Sequence, residues 1–132
     1  MNRTVPELRA SLYERAGGAQ AIEKIVDRHI DLVLHAEACR TLRVLYTKDM
    51  SRYRTRMIEY VSGFLGGPVV YAEKHGPAQL HAYHRNMVIT PELRDLWFGC
   101  LTQALTLEVP DKGVRRELAS VFWSMADSLT NA

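Results

Sequence analysis

The fold is decided early in the chain, where residues 11–35 read SLYERAGGAQAIEKIVDRHIDLVLH. Ser11 and Glu14 have the spacing of a capping box, in which the serine hydroxyl accepts an amide proton and the glutamate reaches back to the cap residue. Gly17 and Gly18 predict the end of that short helix, because glycine readily adopts the left-handed conformation found at helix ends. Beyond them apolar side chains recur with helical spacing, so a second helix begins there.

The rest of the chain continues as amphipathic helices separated by glycine and proline. Helices are predicted over residues 19–35, 38–46, 50–64, 80–84, 91–108 and 114–129. The strongest start is Thr90, a capping residue followed by a proline in the first helical turn. Residues 69–78 have no clear period and are predicted as a loop. No alternation of apolar and polar residues typical of strands occurs, so we expect an all-α fold.

The 132 residues are 47% apolar and 24% charged, which suits one globular domain over residues 1–132, with residues 1–10 as an N-terminal extension. A net charge of +2 lacks the one-signed field of a dedicated nucleic-acid binder, so no nucleic-acid partner is expected. No apolar run approaches the ~18 residues of a membrane span, so no membrane association is expected. Cys39 and Cys100 have neither metal-ligand spacing nor the number of partners of a disulfide scaffold, which favours a reducing cytoplasm.

The familiar catalytic motifs are absent from the sequence. It has no Ser-His-Asp order, phosphate-binding glycine loop or zinc-binding HExxH helix, so hydrolase functions have no support. What stands out is His84 on a short, weakly helical segment, together with aromatic and sulfur-containing residues on longer apolar faces: Tyr46, Tyr53, Met57 and Trp97. A lone histidine is more often structural than a ligand, and the residues by themselves leave both interpretations open.

Four pieces of the sequence occur together in a recognisable order. They are SLYERAGG at residues 11–18, FLGGPVVY at residues 64–71, His84, and LRDLW at residues 93–97. In this combination the chain resembles the truncated (2-on-2) haemoglobins, especially group II, from about Ser11 to Leu129. The resemblance implies a shortened globin fold, in which a 2-on-2 antiparallel helical sandwich surrounds haem b (iron protoporphyrin IX). It also implies that the proximal helix is reduced to little more than a turn.

The resemblance assigns the proximal iron ligand to His84. A neutral imidazole suits this role, and its second ring nitrogen then needs a carbonyl or carboxylate partner to fix the tautomer. His81, one turn earlier, is expected to be exposed, with contact to a haem propionate as the less favoured alternative. His35 and His75 are expected to be exposed as well.

On the distal side the resemblance places Trp97, whose indole N–H can donate to a bound ligand; a purely structural core tryptophan is the alternative. Tyr46 matches an aromatic position between the third helix and the distal helix, and its hydroxyl would be a second donor. Tyr53 and Met57 lie one turn apart on the distal helix, and this spacing puts them on one face. The matching positions in the family line the ligand side of the haem.

Arg56 matches the basic position beside the haem propionates, where a guanidinium would pair with a carboxylate; an ordinary solvated arginine is the alternative. Seven further residues are expected to pack against the porphyrin, and for them a core role and a cofactor role coincide. They are Tyr60, Phe64, Leu80, Val88, Ile89, Phe122 and Met125.

The second helix departs from the family pattern. Many relatives carry Phe-Tyr at its middle, and the tyrosine hydroxyl is a principal donor to the bound ligand, whereas this chain has His29 and Ile30 there. Ile30 cannot donate, so stabilisation of bound O2 must pass to Trp97, Tyr46 or Tyr53, or be weaker. His29 lies on the apolar face, where a buried hydrogen bond is the favoured expectation and contact with the site is the alternative.

Two classes of function follow from the resemblance. The first is a haem protein that handles the diatomic gases O2, NO and CO, by reversible O2 binding, by oxidation of nitric oxide to nitrate, or by peroxide-linked redox chemistry. Nitric oxide dioxygenation leaves ferric iron, and no flavin or nicotinamide motif is encoded, so a reductase would be a separate protein. The second class is a haem-based sensor or scaffold without turnover. A monomer and a homodimer are both compatible with the sequence.

Overall fold

The computed structural model describes residues 10–46 and 49–132. Within these ranges the chain forms helices and no strand, which confirms the all-α prediction. The helices are α1 (Leu12–Ala16), α2 (Gly18–His35), a 3-10 helix (Glu37–Cys39), α3 (Arg40–Arg43), α4 (Ser51–Phe64), α5 (Val70–His75), α6 (Leu80–Tyr83), α7 (Pro91–Glu108) and α8 (Lys112–Ser128). Of the predicted N-terminal extension, residues 1–9 lie outside the described ranges. None of these helices is long and apolar enough to cross a membrane.

The capping box predicted for α1 is present. The hydroxyl of Ser11 accepts from the amide of Glu14 at 3.2 Å, and the Glu14 carboxylate accepts from the amide of Ser11 at 3.2 Å. Gly17 ends the helix with a φ of 119°, a left-handed conformation that favours glycine. The next helix starts directly at Gly18, one residue earlier than predicted.

The second glycine pair of the sequence, Gly66 and Gly67, lies against α1 and its capping residue. A Cβ atom on Gly66 would lie 2.9 Å from the Cβ of Ser11, and one on Gly67 would lie 2.6 Å from the ring of Tyr13. The backbone amide of Tyr13 donates to the carbonyl of Leu65 at 2.9 Å. Glycine is required here because the end of α4 approaches α1 too closely for a side chain. The two elements therefore pack directly against each other.

The core lies between α2, α4, α7 and α8. Helix α2 packs against both α4 and α7, and α7 packs against α8. Residues 109–111 alone join α7 to α8, so these two helices run antiparallel as neighbours. The buried apolar residues come from all four helices: Ile22, Ile25, Val26, Ile30, Val61, Leu101, Leu105, Val114, Leu118 and Phe122.

The loop predicted for residues 69–78 is wrong, because α5 occupies Val70–His75. These residues have no apolar period of their own. Their helical form is supported from α4, where Tyr60 meets the ring of Tyr71 edge to face at 5.8 Å and Glu59 accepts from Lys74 at 2.7 Å. Tertiary contacts thus stabilise a helix that is too short to be marked by periodicity.

Two other predicted helices are shorter than expected. Residues 38–46 form the end of the 3-10 helix and α3, which stops at Arg43. The guanidinium of Arg43 turns back to the carbonyl groups of Val33 at 2.6 Å and Ala36 at 2.5 Å, so it closes the end of α2. Helix α6 ends at Tyr83, and His84 is its C-terminal capping residue.

Candidate haem site

His84 has the geometry of a metal-ligating histidine. Its Nδ1 lies 2.7 Å from the carbonyl oxygen of Leu80, one turn earlier on α6. Since a carbonyl can only accept, Nδ1 carries the proton, and Nε2 of the neutral ring keeps a free lone pair. The ring is half-buried, and Tyr83 contacts it edge to face at 5.5 Å. This donor set fits an iron porphyrin, which needs one neutral imidazole nitrogen.

Residues 80–89, here called the proximal segment, are tied to the C-terminal end of α8. His81 is exposed as predicted, but its Nε2 lies 2.9 Å from the carbonyl of Ser128. Asn131 makes three hydrogen bonds with the other end of the segment. Its side chain accepts from the Ile89 amide at 2.8 Å and donates to the Met87 carbonyl at 2.8 Å. Its backbone amide donates to the Ile89 carbonyl at 3.0 Å. The position of the short helix therefore depends on residues more than forty positions away in sequence.

Four aromatic rings from separate parts of the chain form what we call the distal aromatic cluster: His29, Tyr46, Tyr53 and Trp97. The rings of Tyr46 and Tyr53 meet edge to face at 5.2 Å, and those of His29 and Trp97 at 5.5 Å. The Nε2 atom of His29 lies 3.3 Å from the hydroxyl of Tyr53, which joins the two pairs. The structure thus brings the predicted candidates together, and the buried hydrogen bond expected for His29 is present.

Burial sets the charge of the cluster. His29 is fully buried, and desolvation lowers its pKa to about 4, so the ring is neutral near neutral pH. Burial raises the pKa of the Tyr53 hydroxyl, and hydrogen bonds with Tyr46 and Trp97 oppose that rise. The pKa of Tyr46 is raised well above its usual value, first by burial and then by its neighbour Tyr53. The cluster therefore offers uncharged, protonated donors.

The family model described as bacterial-like globin matches residues 11–131. The chain belongs to this globin family. It is 29% identical over 93 residues to the group 2 truncated hemoglobin YjbI of Bacillus subtilis, covering 70% of this chain and 67% of the relative. It is 32% identical over 114 residues to the group 1 truncated hemoglobin GlbN of Mycolicibacterium paratuberculosis, covering 85% of this chain and 79% of the relative.

A solved group II 2-on-2 hemoglobin from Agrobacterium tumefaciens superposes with a TM-score of 0.89 at 27% identity, covering 96% of this chain and 98% of that one. The resemblance to truncated haemoglobins and the 2-on-2 fold are thereby confirmed, with group II as the similar branch. As a globin, the protein uses haem and binds diatomic gases such as O2. The roles of individual residues remain predictions.

The distal cluster of this globin rests on the apolar core. Ile30 is 9% exposed and lies in the main core cluster, so it fills space beside His29 without adding a donor. Phe122 is 1% exposed, and its ring lies 6.4 Å from that of Trp97. Three partly buried residues predicted near the haem pack against the same core: Met57, Tyr60 and Met125.

The residues predicted to pack on the porphyrin differ in how deeply they are buried. Ile89 is buried and Leu80 is half-buried, but Phe64 is 47% exposed and Val88 is 67% exposed. The expected core role of Phe64 and Val88 is therefore wrong, because neither side chain is buried in the core, whereas their packing on the porphyrin stays a prediction. Phe64 instead stacks on the ring of Tyr60 at 5.6 Å.

Arg56 is half-buried on α4. Its neighbour Arg54 pairs with Asp27 at 2.5 Å, whereas no carboxylate of the described residues pairs with Arg56. Its guanidinium is thus a half-buried basic group of α4 that could meet a propionate. Sequence reasoning missed Ser128 and Asn131, because their contacts join distant parts of the chain and leave no local pattern.

Proposed function

We propose that this globin binds haem b with His84 as the axial ligand and retains O2 by hydrogen bonds from the distal aromatic cluster. The observation that carries the proposal is the 2.7 Å hydrogen bond from His84 Nδ1 to the Leu80 carbonyl. It fixes the tautomer that leaves Nε2 unprotonated and turned away from that bond, as an iron ligand requires. Ferrous haem supplies the binding site for O2, NO and CO.

The distal residues act by donating hydrogen bonds from fixed positions. The hydroxyl groups of Tyr46 and Tyr53 stay protonated because burial raises the pKa of each, and the indole of Trp97 can only donate. The surrounding apolar cluster excludes water, which strengthens each donor. O2 gathers negative charge on binding and CO gathers little, so these donors retain O2 selectively.

Arg56 is proposed to pair with a haem propionate. A guanidinium and a carboxylate form a charge-assisted hydrogen bond, and this arginine has no ion-pair partner among the described residues. Replacement by glutamine would remove the charge and keep most of the length. We expect Arg56→Gln to speed haem loss and to leave gas binding by the remaining holoprotein unchanged.

Oxidation of nitric oxide to nitrate is the turnover we propose for the same pocket, because donors that retain O2 also keep it available for reaction with NO. The reaction leaves ferric iron, so electrons must come from a separate reductase. A sensor or scaffold would use the same pocket without forming nitrate. Nitrate is therefore measured after NO is added to the ferrous protein equilibrated with O2. With an external electron donor present to reduce the ferric iron, formation of more than one nitrate per haem supports turnover, and its absence favours the sensor or scaffold.

The proximal assignment is tested by absorption spectra of the protein reconstituted with haemin. We expect His84→Gly to lose the five-coordinate ferrous spectrum and added imidazole to restore it. His35→Gly, an exposed histidine at the end of α2, should keep the wild-type spectrum. A wild-type protein that takes up no haem would contradict the whole proposal, and an unchanged spectrum of His84→Gly would contradict the ligand assignment.

A further inference from the structure

His29 is an unusual residue for the apolar face of a helix. It is fully buried in α2, and its side chain makes a 3.3 Å hydrogen bond between Nε2 and the Tyr53 hydroxyl. Nδ1 is buried and has no hydrogen-bond partner among the described residues. An apolar residue would avoid the cost of burying a polar ring. A function for the contact with Tyr53 would account for the histidine.

The environment of the ring decides which nitrogen holds its proton. Burial keeps the pKa of His29 near 4, so the neutral ring carries one N–H and one lone pair. A proton on Nδ1 would be a buried donor without an acceptor, which is rare in proteins; a bare lone pair is better tolerated. With the proton on Nε2, the ring instead donates to the oxygen of Tyr53.

This direction of the hydrogen bond has a consequence for Tyr53. Because its oxygen accepts from His29, the proton of the tyrosine hydroxyl points away from that bond. The hydrogen bonds with Tyr46 and Trp97 lower the pKa of Tyr53, as bonds accepted by its oxygen do, so they leave this proton available as a donor. Tyr46 meets the Tyr53 ring edge to face at 5.2 Å and limits its movement. The hydroxyl therefore has a preferred orientation as well as a proton to give.

We propose that His29 is a positioning residue, which holds the Tyr53 hydroxyl as a hydrogen-bond donor to the diatomic ligand. The donor that Ile30 cannot provide is thus supplied by the facing helix α4, and the residue preceding Ile30 on α2 orients it. The inference rests on the proposed haem function. It assigns no direct contact between His29 and the ligand, so His29 acts only through Tyr53.

The proposal predicts that His29 and Tyr53 behave as one unit. Tyr53→Phe removes the donor, so O2 dissociation from the ferrous protein should become roughly five- to thirtyfold faster, the effect of one lost hydrogen bond. His29→Phe should speed dissociation in the same direction, and the double variant should be no faster than Tyr53→Phe alone. His29→Gln keeps a side-chain N–H, and we expect it to restore a rate closer to that of the wild-type protein.

Two spectroscopic measurements separate positioning from a packing role. In the CO complex, loss of a donor raises the C–O stretching frequency, so His29→Phe and Tyr53→Phe should both shift it upward and His29→Gln should return it toward the wild-type value. Nitrogen NMR of the diamagnetic CO complex should show the His29 proton on Nε2. His35→Phe is the matched control on the same helix, and it should leave the frequency and the rate unchanged.

The outcomes distinguish this inference from the proposed function. Haem uptake with an unchanged C–O frequency in a folded His29→Phe protein, or a proton found on Nδ1, would overturn the inference alone. Effects of His29→Phe and Tyr53→Phe that multiply in the double variant would overturn it too, because independent residues have additive free energies. Absence of haem binding by the wild-type protein would overturn the proposed function instead.

Discussion

His84 and the distal aromatic cluster are held by different kinds of contact. His84 ends a four-residue helix, and hydrogen bonds with the Asn131 side chain and to the Ser128 carbonyl hold the segment around it. The distal cluster draws its rings from three long helices and the segment after α3, and it packs against the apolar core. The proximal side therefore depends on a few polar contacts that can be removed singly, whereas the distal side depends on the packing of the whole fold.

The largest effect is expected where the distal cluster meets the core. Phe122 is 1% exposed and its ring lies 6.4 Å from that of Trp97. Phe122→Ala should lower the free energy of unfolding by about 3–5 kcal/mol, since it removes a buried ring and leaves a cavity. Phe64→Ala makes the same chemical change at a residue that is 47% exposed. Urea unfolding of both variants checks the contrast, and equal losses would contradict it.

The next effect is on the pH dependence of stability. Burial lowers the pKa of His29 to about 4 in the folded chain from the usual 6.5. Between these values the unfolded chain binds a proton that the folded chain does not, so the free energy of unfolding falls as the pH falls, by roughly 3 kcal/mol in total. Above pH 6.5 this contribution to instability is absent.

Urea midpoints across this pH range check the sign and the size of that effect. His29→Leu should lose less stability on acidification than the wild-type protein, because it removes the group that must be protonated on unfolding. The exposed histidine in His35→Leu is the matched control and should keep the wild-type pH dependence. Parallel curves for His29→Leu and the wild-type protein would mean that His29 is already protonated when folded.

The sequence could predict individual helices but not the contacts between them. Local signals sufficed for α7, whose start at Thr90 is confirmed by a 3.2 Å hydrogen bond from the Leu93 amide to the threonine hydroxyl. Periodicity placed His29 on the buried face of α2 but contains no information about Tyr53, which approaches from another helix. The contact of Asn131 with Ile89 spans 42 positions and follows no repeat. Interactions between elements therefore leave no local signal in the sequence.

Substitution of Trp97 tests whether its indole donates to the ligand or only packs within the distal aromatic cluster. Its indole is part of the hydrogen bonding that lowers the pKa of Tyr53 against the effect of burial. Trp97→Phe keeps an aromatic ring but removes the N–H, so O2 dissociation should become roughly five- to thirtyfold faster, equivalent to about 1–2 kcal/mol. Stopped-flow kinetics on the ferrous protein measure this rate. A change below about twofold, less than one ordinary hydrogen bond, would assign Trp97 to packing alone.

The smallest effect is expected on the proximal side, from Asn131→Ala. This change removes the side-chain acceptor of the Ile89 amide and the donor to the Met87 carbonyl, and it keeps the bond from the Asn131 amide to Ile89. These groups are partly exposed, so the free energy of unfolding should fall by only about 1 kcal/mol. The segment that carries His84 should nevertheless loosen, and haem should dissociate faster.

Haem transfer to an excess of an apoglobin with higher affinity measures this loss, and the C–O stretching frequency of the CO complex reports the distal side separately. Faster transfer with an unchanged frequency is the expected result, because Asn131 touches the proximal segment and not the distal cluster. Asn86→Ala makes the same change at an exposed residue of that segment and should leave the transfer rate unaltered. If Asn131→Ala also shifted the C–O frequency, the proximal and distal sides would be coupled through α8. They would then not function independently, although different contacts hold them.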